Sequence, residues 1–176
     1  MKLASLKDGR DGQLVVVSTD LTGAANAADI APTLLTALDE WDVLAPQLTA
    51  RYEMLNTGQV ESFAFDQAAC ESSLPRAYKC LDGSAYLNHV ELVRKARGAV
   101  VPESFYDDPL MYQGGSYTFI GPRDAAIAAS ESYCIDIEAE ITAITNDVPM
   151  RTYRTLSITA LSLIKMMKAF VLGSRI

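Results

Sequence analysis

The chain has 176 residues, 49% hydrophobic and 21% charged, which is enough to bury a core in one or two small domains. Its formal charge of -7 leaves no basic face for a phosphate backbone, so nucleic acid is excluded as a partner. Three cysteines without a CxxC pair and an N-terminus without an apolar signal segment predict a cytoplasmic protein, and no segment reaches the roughly 18 uncharged apolar residues of a membrane span.

The N-terminal part of the chain is predicted to form a hairpin covered by helices. Residues 1–5 and 13–18 have strand composition, and the turn between them contains two Asp-Gly pairs, which favour a β-hairpin. The second strand is nearly all apolar, so we expect both of its faces to be buried. Apolar residues recur at helical spacing over residues 30–55 with an interruption near Pro46, which predicts a pair of helices. A short strand is predicted at residues 62–65.

The middle of the chain is predicted to contain a helix and a long polar loop. An Asp-Gly-Ser turn precedes a helical pattern from about residue 85 to residue 97. Residues 101–124 are rich in polar residues, Gly and Pro, and loops of this length are usually functional or disordered.

Three carboxylates alternate with small or apolar residues in the segment Cys134–Ile141. In a strand, this alternation places Asp136, Glu138 and Glu140 on one face. Neighbouring glutamates that point into one space repel each other unless a cation lies between them, and carboxylate oxygens suit a hard divalent ion. The alternative is a solvated edge strand whose acids face water.

The last 26 residues differ in charge from the rest of the chain. Residues 151–176 contain five basic residues and no acid. They are apolar and compatible with a helix that carries Lys165 and Lys168 on one side. Such a helix could lie at an anionic membrane surface, but the absence of a clean polar face argues against this interpretation.

Several segments of the chain resemble the fumarylacetoacetate hydrolase family, in particular its bacterial members with a short extra N-terminal domain. These segments are, in chain order, KLASLKDGRDGQLVVVS, LPRAY, GSAYLNHVELVRKARG, DPLMYQGGS, IDIEAEI and TNDVPM. The resemblance implies an α+β protein in which residues 1–77 are the N-terminal domain, residues 78–150 are the first part of a mostly β catalytic domain, and residues 151–176 are a divergent tail. It also implies hydrolysis of a carbon–carbon bond in a fumarylacetoacetate-type or acylpyruvate-type diketo acid with Mg²⁺ or Mn²⁺, with Ca²⁺ as a further candidate.

The resemblance also implies a metal site and a general base. Glu138 and Glu140 match the acidic pair of the family's E-x-E metal motif. His89 matches the histidine of the Y-x-x-H element, which acts as a general base on water when a carboxylate orients it. The family's orienting glutamate often stands three residues after the histidine, where this chain has Leu92, so Glu91 is the candidate one position short of it. The alternative for His89 is a histidine at a helix start with a satisfied hydrogen bond.

Substrate-binding residues are implied in two places. Arg94 belongs to a basic cluster that could bind a substrate carboxylate through two hydrogen bonds, unless the cluster is simply a solvated face. Tyr112 and Gln113 resemble the family's loop on the substrate side. In an alternative register, Asn88 takes the position of a metal-binding aspartate in other members.

The resemblance ends near residue 150, and no acid follows Asp147 to supply the third metal carboxylate of the family. We therefore expect an incomplete catalytic domain with weak metal binding and little or no turnover by this chain alone, which leaves open whether it is an enzyme. The alternative is a non-catalytic remnant or interaction module that forms homo-oligomers through exposed strand edges.

Overall fold

A computed structural model describes residues 1–84, 86–108, 110–116, 119–130, 132, 135–145 and 158–169. The chain divides into two compact units, of which the larger unit comprises residues 1–76 and 119–176 and the smaller unit comprises residues 77–118. Helices and antiparallel strands both occur, which confirms the predicted α+β class. Within the described part of the chain, no helix is long and apolar enough to cross a membrane.

A four-stranded antiparallel sheet forms the centre of the larger unit, with its strands in sequence order. Its strands are β1 (Lys2–Leu6), β2 (Gln13–Val17), β3 (Gly23–Asn26) and β4 (Phe63–Ala64). In the register, Val16 of β2 lies between Leu3 of β1 and Ala25 of β3. The predicted hairpin and the predicted short strand are therefore confirmed.

Both faces of β2 are buried, as its apolar sequence predicts. On one face, Leu14 and Val16 belong to a cluster that also contains residues of the two N-terminal helices. On the other face, Val15 and Val17 pack with Ala24 and the partly buried side chains of Ala4, Leu6 and Phe65. The sheet therefore has buried apolar side chains on both of its faces at β2.

Two helices, α1 (Leu34–Asp39) and α2 (Trp41–Asn56), cover one face of this sheet. The hydroxyl of Thr33 accepts a hydrogen bond from the backbone N–H of Thr36 at 3.1 Å and so caps the start of α1. The helices are separated at Glu40 alone.

The predicted interruption near Pro46 is wrong, because Pro46 lies inside α2. A proline in a helix interior loses one backbone hydrogen bond and crowds the carbonyl four residues earlier. In α2, however, Leu48 is fully buried and Leu55 nearly so, and both contribute to the core. Burial of these side chains outweighs the local cost of the proline.

The smaller unit contains one helix and one pair of antiparallel strands. Its elements are β5 (Cys80–Gly83), α3 (Leu87–Ala96), a short 3₁₀ helix (Glu103–Tyr106) and β6 (Met111–Gly114). The loop predicted over residues 101–124 is wrong at β6, which pairs with β5 and thereby satisfies backbone groups that a loop would leave to water. Val90 and Phe105 are the buried apolar side chains among the described residues of this unit.

A second strand pair in the larger unit consists of β7 (Ile135–Thr145) and β8 (Ile158–Ala169). The strand predicted around the three carboxylates is confirmed by β7. The helical interpretation of the tail is wrong for β8, because pairing with β7 overrides helix propensity. The turn expected at residues 146–149 and the boundary expected after residue 150 lie outside the described residues.

Candidate functional site

The proposed metal ligands lie on β7. Glu138 and Glu140 stand two residues apart in this strand, and their partners in the register are Met166 and Ile164 of β8. Glu140 is half-buried. The predicted orientation of the Glu138 side chain lies outside what the structure describes. Because alternate residues of a strand point to the same face, the spacing of Glu138 and Glu140 is compatible with two carboxylates on one face of β7.

The carboxylate oxygens of Glu138 and Glu140 are suitable ligands for a hard divalent cation, but two carboxylates are a small ligand set. Among the described residues, no group of three or more His, Cys, Asp or Glu side chains could hold a metal ion. Mg²⁺ is commonly held by one or two carboxylates, with water and substrate oxygens at its other positions, whereas Ca²⁺ takes about six to eight oxygen ligands. Two glutamates therefore fit Mg²⁺ or Mn²⁺ better than Ca²⁺.

Three predicted site residues lie on α3. His89 occupies the first turn of this helix and is exposed, as is Glu91, while Arg94 is half-buried in the last turn. Residues two apart on a helix are rotated by about 200° around its axis and do not face each other. Both side chains belong to the described part of the chain, and no hydrogen bond joins them. Orientation of His89 by Glu91 therefore stays a prediction that this helix geometry does not favour.

The two remaining predicted residues are neighbours on β6. Tyr112 pairs with Asp82 and Gln113 with Leu81 of β5. Because consecutive strand residues point to opposite faces, only one of Tyr112 and Gln113 can contact a ligand bound on a given side of the strand pair. Both are exposed, and Tyr112 retains 67% of its accessible surface.

A polar cluster at the end of β1 was not predicted from the sequence. Lys7 Nζ donates hydrogen bonds to Asp124 Oδ1 at 2.5 Å and to the carbonyl of Ala68 at 3.1 Å. The bond from Lys7, with a further one from the backbone N–H of Gly121, lowers the pKa of the Asp124 carboxyl, and the same bond to Asp124 raises the pKa of the Lys7 ammonium. The two residues are 117 positions apart, so no local spacing could have indicated their contact.

A shallow cleft on the surface of α2 contains none of the predicted site residues. It is lined by one side of the helix, including Trp41, Ala45, Thr49 and Glu53. Its mixed lining of small, aromatic and acidic side chains does not favour a particular ligand.

Comparison with known families gives a match for the N-terminal part of the chain. Residues 1–76 match a family model described as "Fumarylacetoacetase N-terminal domain 2". No curated protein matches the chain. The matched range ends at Arg76, where the first segment of the larger unit also ends.

Proposed function

We propose that the chain takes part in the metal-dependent hydrolysis of a carbon–carbon bond in a diketo acid. The proposal starts from the match of residues 1–76 to the model of a fumarylacetoacetase N-terminal domain. The substrate class is that of fumarylacetoacetate or an acylpyruvate. The observation that carries this proposal is the combination of the matched domain with a strand, β7, that bears two glutamates at alternate positions in the same compact unit.

Glu138 and Glu140 are the residues that would hold Mg²⁺ or Mn²⁺. Their carboxylates supply two oxygen donors, and water and the two keto oxygens of a substrate can take the other positions. When bound, such an ion stabilises the enolate charge that develops as the carbon–carbon bond breaks. Two protein carboxylates bind a divalent ion less tightly than three, so we expect weak affinity.

The family resemblance assigns the remaining chemistry to His89 and to the candidate substrate-binding residues. His89 is exposed to solvent and can accept a proton from the attacking water at an imidazole nitrogen. The hydroxide adds to the carbonyl carbon, the carbon–carbon bond breaks, and its electron pair forms an enolate that is then protonated on carbon.

Arg94 would bind the substrate carboxylate, and Tyr112 or Gln113 would contact a keto oxygen. Glu91 can orient His89 only if the first turn of α3 rearranges, because the two residues lie on different sides of the helix.

Turnover of an acylpyruvate in the presence of Mg²⁺ or Mn²⁺ tests this proposal. We expect slow, metal-dependent cleavage that is lost in Glu138→Ala. Asp136→Ala is the matched control, because it removes a carboxylate from the same strand at a position not assigned to the metal. No cleavage by the unaltered chain, or equal cleavage by Glu138→Ala, would contradict the proposal.

A second candidate function is that of an interaction module that forms homo-oligomers. The observation that favours an interaction module is the exposure of large apolar side chains in the smaller unit. Tyr78, Leu81 and Val100 are 78%, 58% and 87% exposed. Exposed apolar patches commonly mark protein interfaces. Sedimentation velocity of the chain and of a Tyr78→Ser/Leu81→Ser variant provides the test. A concentration-dependent oligomer that is weakened in the variant supports this function, and a monomer at all concentrations removes it.

A further inference from the structure

Residues 119–124, here called the clasp, pack on the N-terminal domain although they lie outside the matched range 1–76. The backbone N–H of Phe119 donates to the carbonyl of Pro75 at 3.4 Å. Gly121 is buried, and a Cβ atom at this position would collide with the carbonyl oxygen of Cys70. Only glycine fits this close approach between two backbone segments.

The side chains of two residues that follow this glycine add polar contacts. Asp124 Oδ2 accepts a hydrogen bond from the backbone N–H of Gly121 at 3.0 Å, while its Oδ1 pairs with Lys7, the residue after β1. Arg123 donates from Nε and Nη2 to the side-chain oxygen of Gln67, at 3.1 and 2.9 Å. The clasp is therefore bound to the residue that follows β1 and to the short 3₁₀ helix Gln67–Ala69 of the domain.

The far end of β7 contacts the same domain. Ile144 is partly buried and packs against the core cluster formed by residues of β2, α1 and α2. The chain between Asp124 and Ile144 is thus attached to the N-terminal domain at both ends. Glu138 and Glu140 lie between these two attachments.

We propose that the N-terminal domain positions the carboxylate strand through the clasp and Ile144. Gly121, Asp124, Lys7 and Ile144 are positioning residues in this arrangement. The part of the proposal that concerns the metal rests on the proposed function, whereas the attachment of β7 does not.

The contacts of the clasp differ in strength. The side chains of Lys7 and Asp124 remain 38% and 33% exposed, and ion pairs open to solvent contribute little by themselves. A Cβ atom added at Gly121 would meet the carbonyl oxygen of Cys70, and a backbone carbonyl cannot move aside as the end of a flexible side chain can. We therefore expect Gly121→Ala to release the clasp more completely than loss of the ion pair.

Hydrogen exchange of the full chain, followed by mass spectrometry, tests the attachment. In Gly121→Ala, amides of the clasp and of β7 should exchange roughly tenfold faster or more, whereas those of β2 should keep their protection, because local opening does not require global unfolding. Gly114→Ala is the matched control, since an added Cβ there makes only an ordinary contact at 3.7 Å. Faster exchange in the clasp with unchanged exchange in β7 would overturn the proposal.

A variant that lacks the polar contacts keeps the test decisive if Gly121→Ala unfolds the whole unit. Asp124→Ala removes the acceptor of the hydrogen bonds from Lys7 Nζ and from the backbone N–H of Gly121, so amides of the clasp and of β7 should exchange faster than in the unaltered chain. Unchanged exchange of β7 in Asp124→Ala would refute the attachment.

Metal titration then separates this inference from the proposed function. If β7 responds to the clasp but the chain binds neither Mg²⁺ nor Mn²⁺, the proposed function fails and the attachment stands. If the metal binds Gly121→Ala as tightly as the unaltered chain while β7 is released, the positioning of the metal ligands is refuted.

Discussion

Arg76 binds Asp11 through two hydrogen bonds that join the last residue of the matched domain to the turn between β1 and β2. Arg76 Nε donates to Asp11 Oδ1 at 2.6 Å, and Nη2 donates to Oδ2. This paired geometry is the one in which a guanidinium recognises a carboxylate most specifically. The pair links the connector after the sheet to the turn of the first hairpin. The hydrogen bonds from Arg76 lower the pKa of the Asp11 carboxyl.

The contribution of this pair to stability should depend on pH. Because the pKa of Asp11 is lowered in the folded protein from its ordinary value of 3.8, the stabilisation is complete above that value and is lost as pH falls through the folded-state pKa. In Arg76→Gln, the pKa of Asp11 should rise towards 3.8, as measured by ¹³C NMR of the carboxyl carbon. An unchanged pKa in this variant would show that the guanidinium is not its cause.

Gly12 and Gly9 should respond differently to substitution by alanine. Both have a positive φ, 71° and 68°. An alanine at either position must therefore adopt a left-handed conformation, which destabilises the folded state by about 1–2 kcal/mol. At Gly12, the added Cβ would also lie 2.7 Å from the Cβ of Ser5 and 2.9 Å from the carbonyl oxygen of Leu6, while nothing lies within 4 Å at Gly9. Chemical denaturation should show a larger loss of stability for Gly12→Ala. Equal losses would contradict the close packing of this turn against β1.

Leu48 should be a principal source of stability in α2. Its side chain is fully buried, so Leu48→Ala is expected to lower the free energy of unfolding by about 2–5 kcal/mol. Val43→Ala is the control on the same helix, because Val43 is 63% exposed and its truncation should change stability by less than about 0.5 kcal/mol. Urea denaturation of both variants provides the measurement, and similar losses at the two positions would contradict the assigned core.

Asp20 should determine part of the acid sensitivity of the β2–β3 turn. Its Oδ1 accepts hydrogen bonds from Ser18 Oγ, from the backbone N–H of Thr22 and from Thr22 Oγ1, at 2.6, 3.1 and 2.9 Å. These bonds lower its pKa to about 2, the bond from Ser18 being the largest cause. The stabilisation is therefore present above the ordinary pKa of 3.8 and is lost as pH falls through about 2. Asp20→Asn keeps an acceptor that does not ionise, so its stability should decline less between pH 4 and 2 in acid titrations followed by circular dichroism. An unchanged acid profile would contradict this role.

The parts of the fold with local signals could be predicted from the sequence. The Asp-Gly pairs indicated the first hairpin, and the uninterrupted apolar run of β2 indicated burial on both faces. The alternation of acids indicated β7. In each case, a turn residue or a period of two carries the information within a few positions.

The remaining features depend on contacts between distant residues. Pro46 gave a local signal for a break in the helix, but burial of Leu48 and Leu55 outweighs it. The apolar tail is compatible with a helix, and pairing with β7 decides in favour of strand β8.

In the candidate site, local spacing could be predicted and long-range contacts could not. The spacing of Glu138 and Glu140 follows from the predicted strand, and the separation of His89 from Glu91 follows from the predicted helix, so neither needs a distant contact. The contact of Lys7 with Asp124 has no sequence signal, because a long separation along the chain gives no periodic pattern.

The most direct test of the proposed metal chemistry is isothermal titration calorimetry of the full chain with Mn²⁺ and Mg²⁺. We predict weak, saturable binding that is lost in Glu138→Ala/Glu140→Ala and retained in Asp136→Ala. The absence of saturable binding to the unaltered chain, or equal binding by the double variant, would contradict the assignment of these two glutamates as metal ligands.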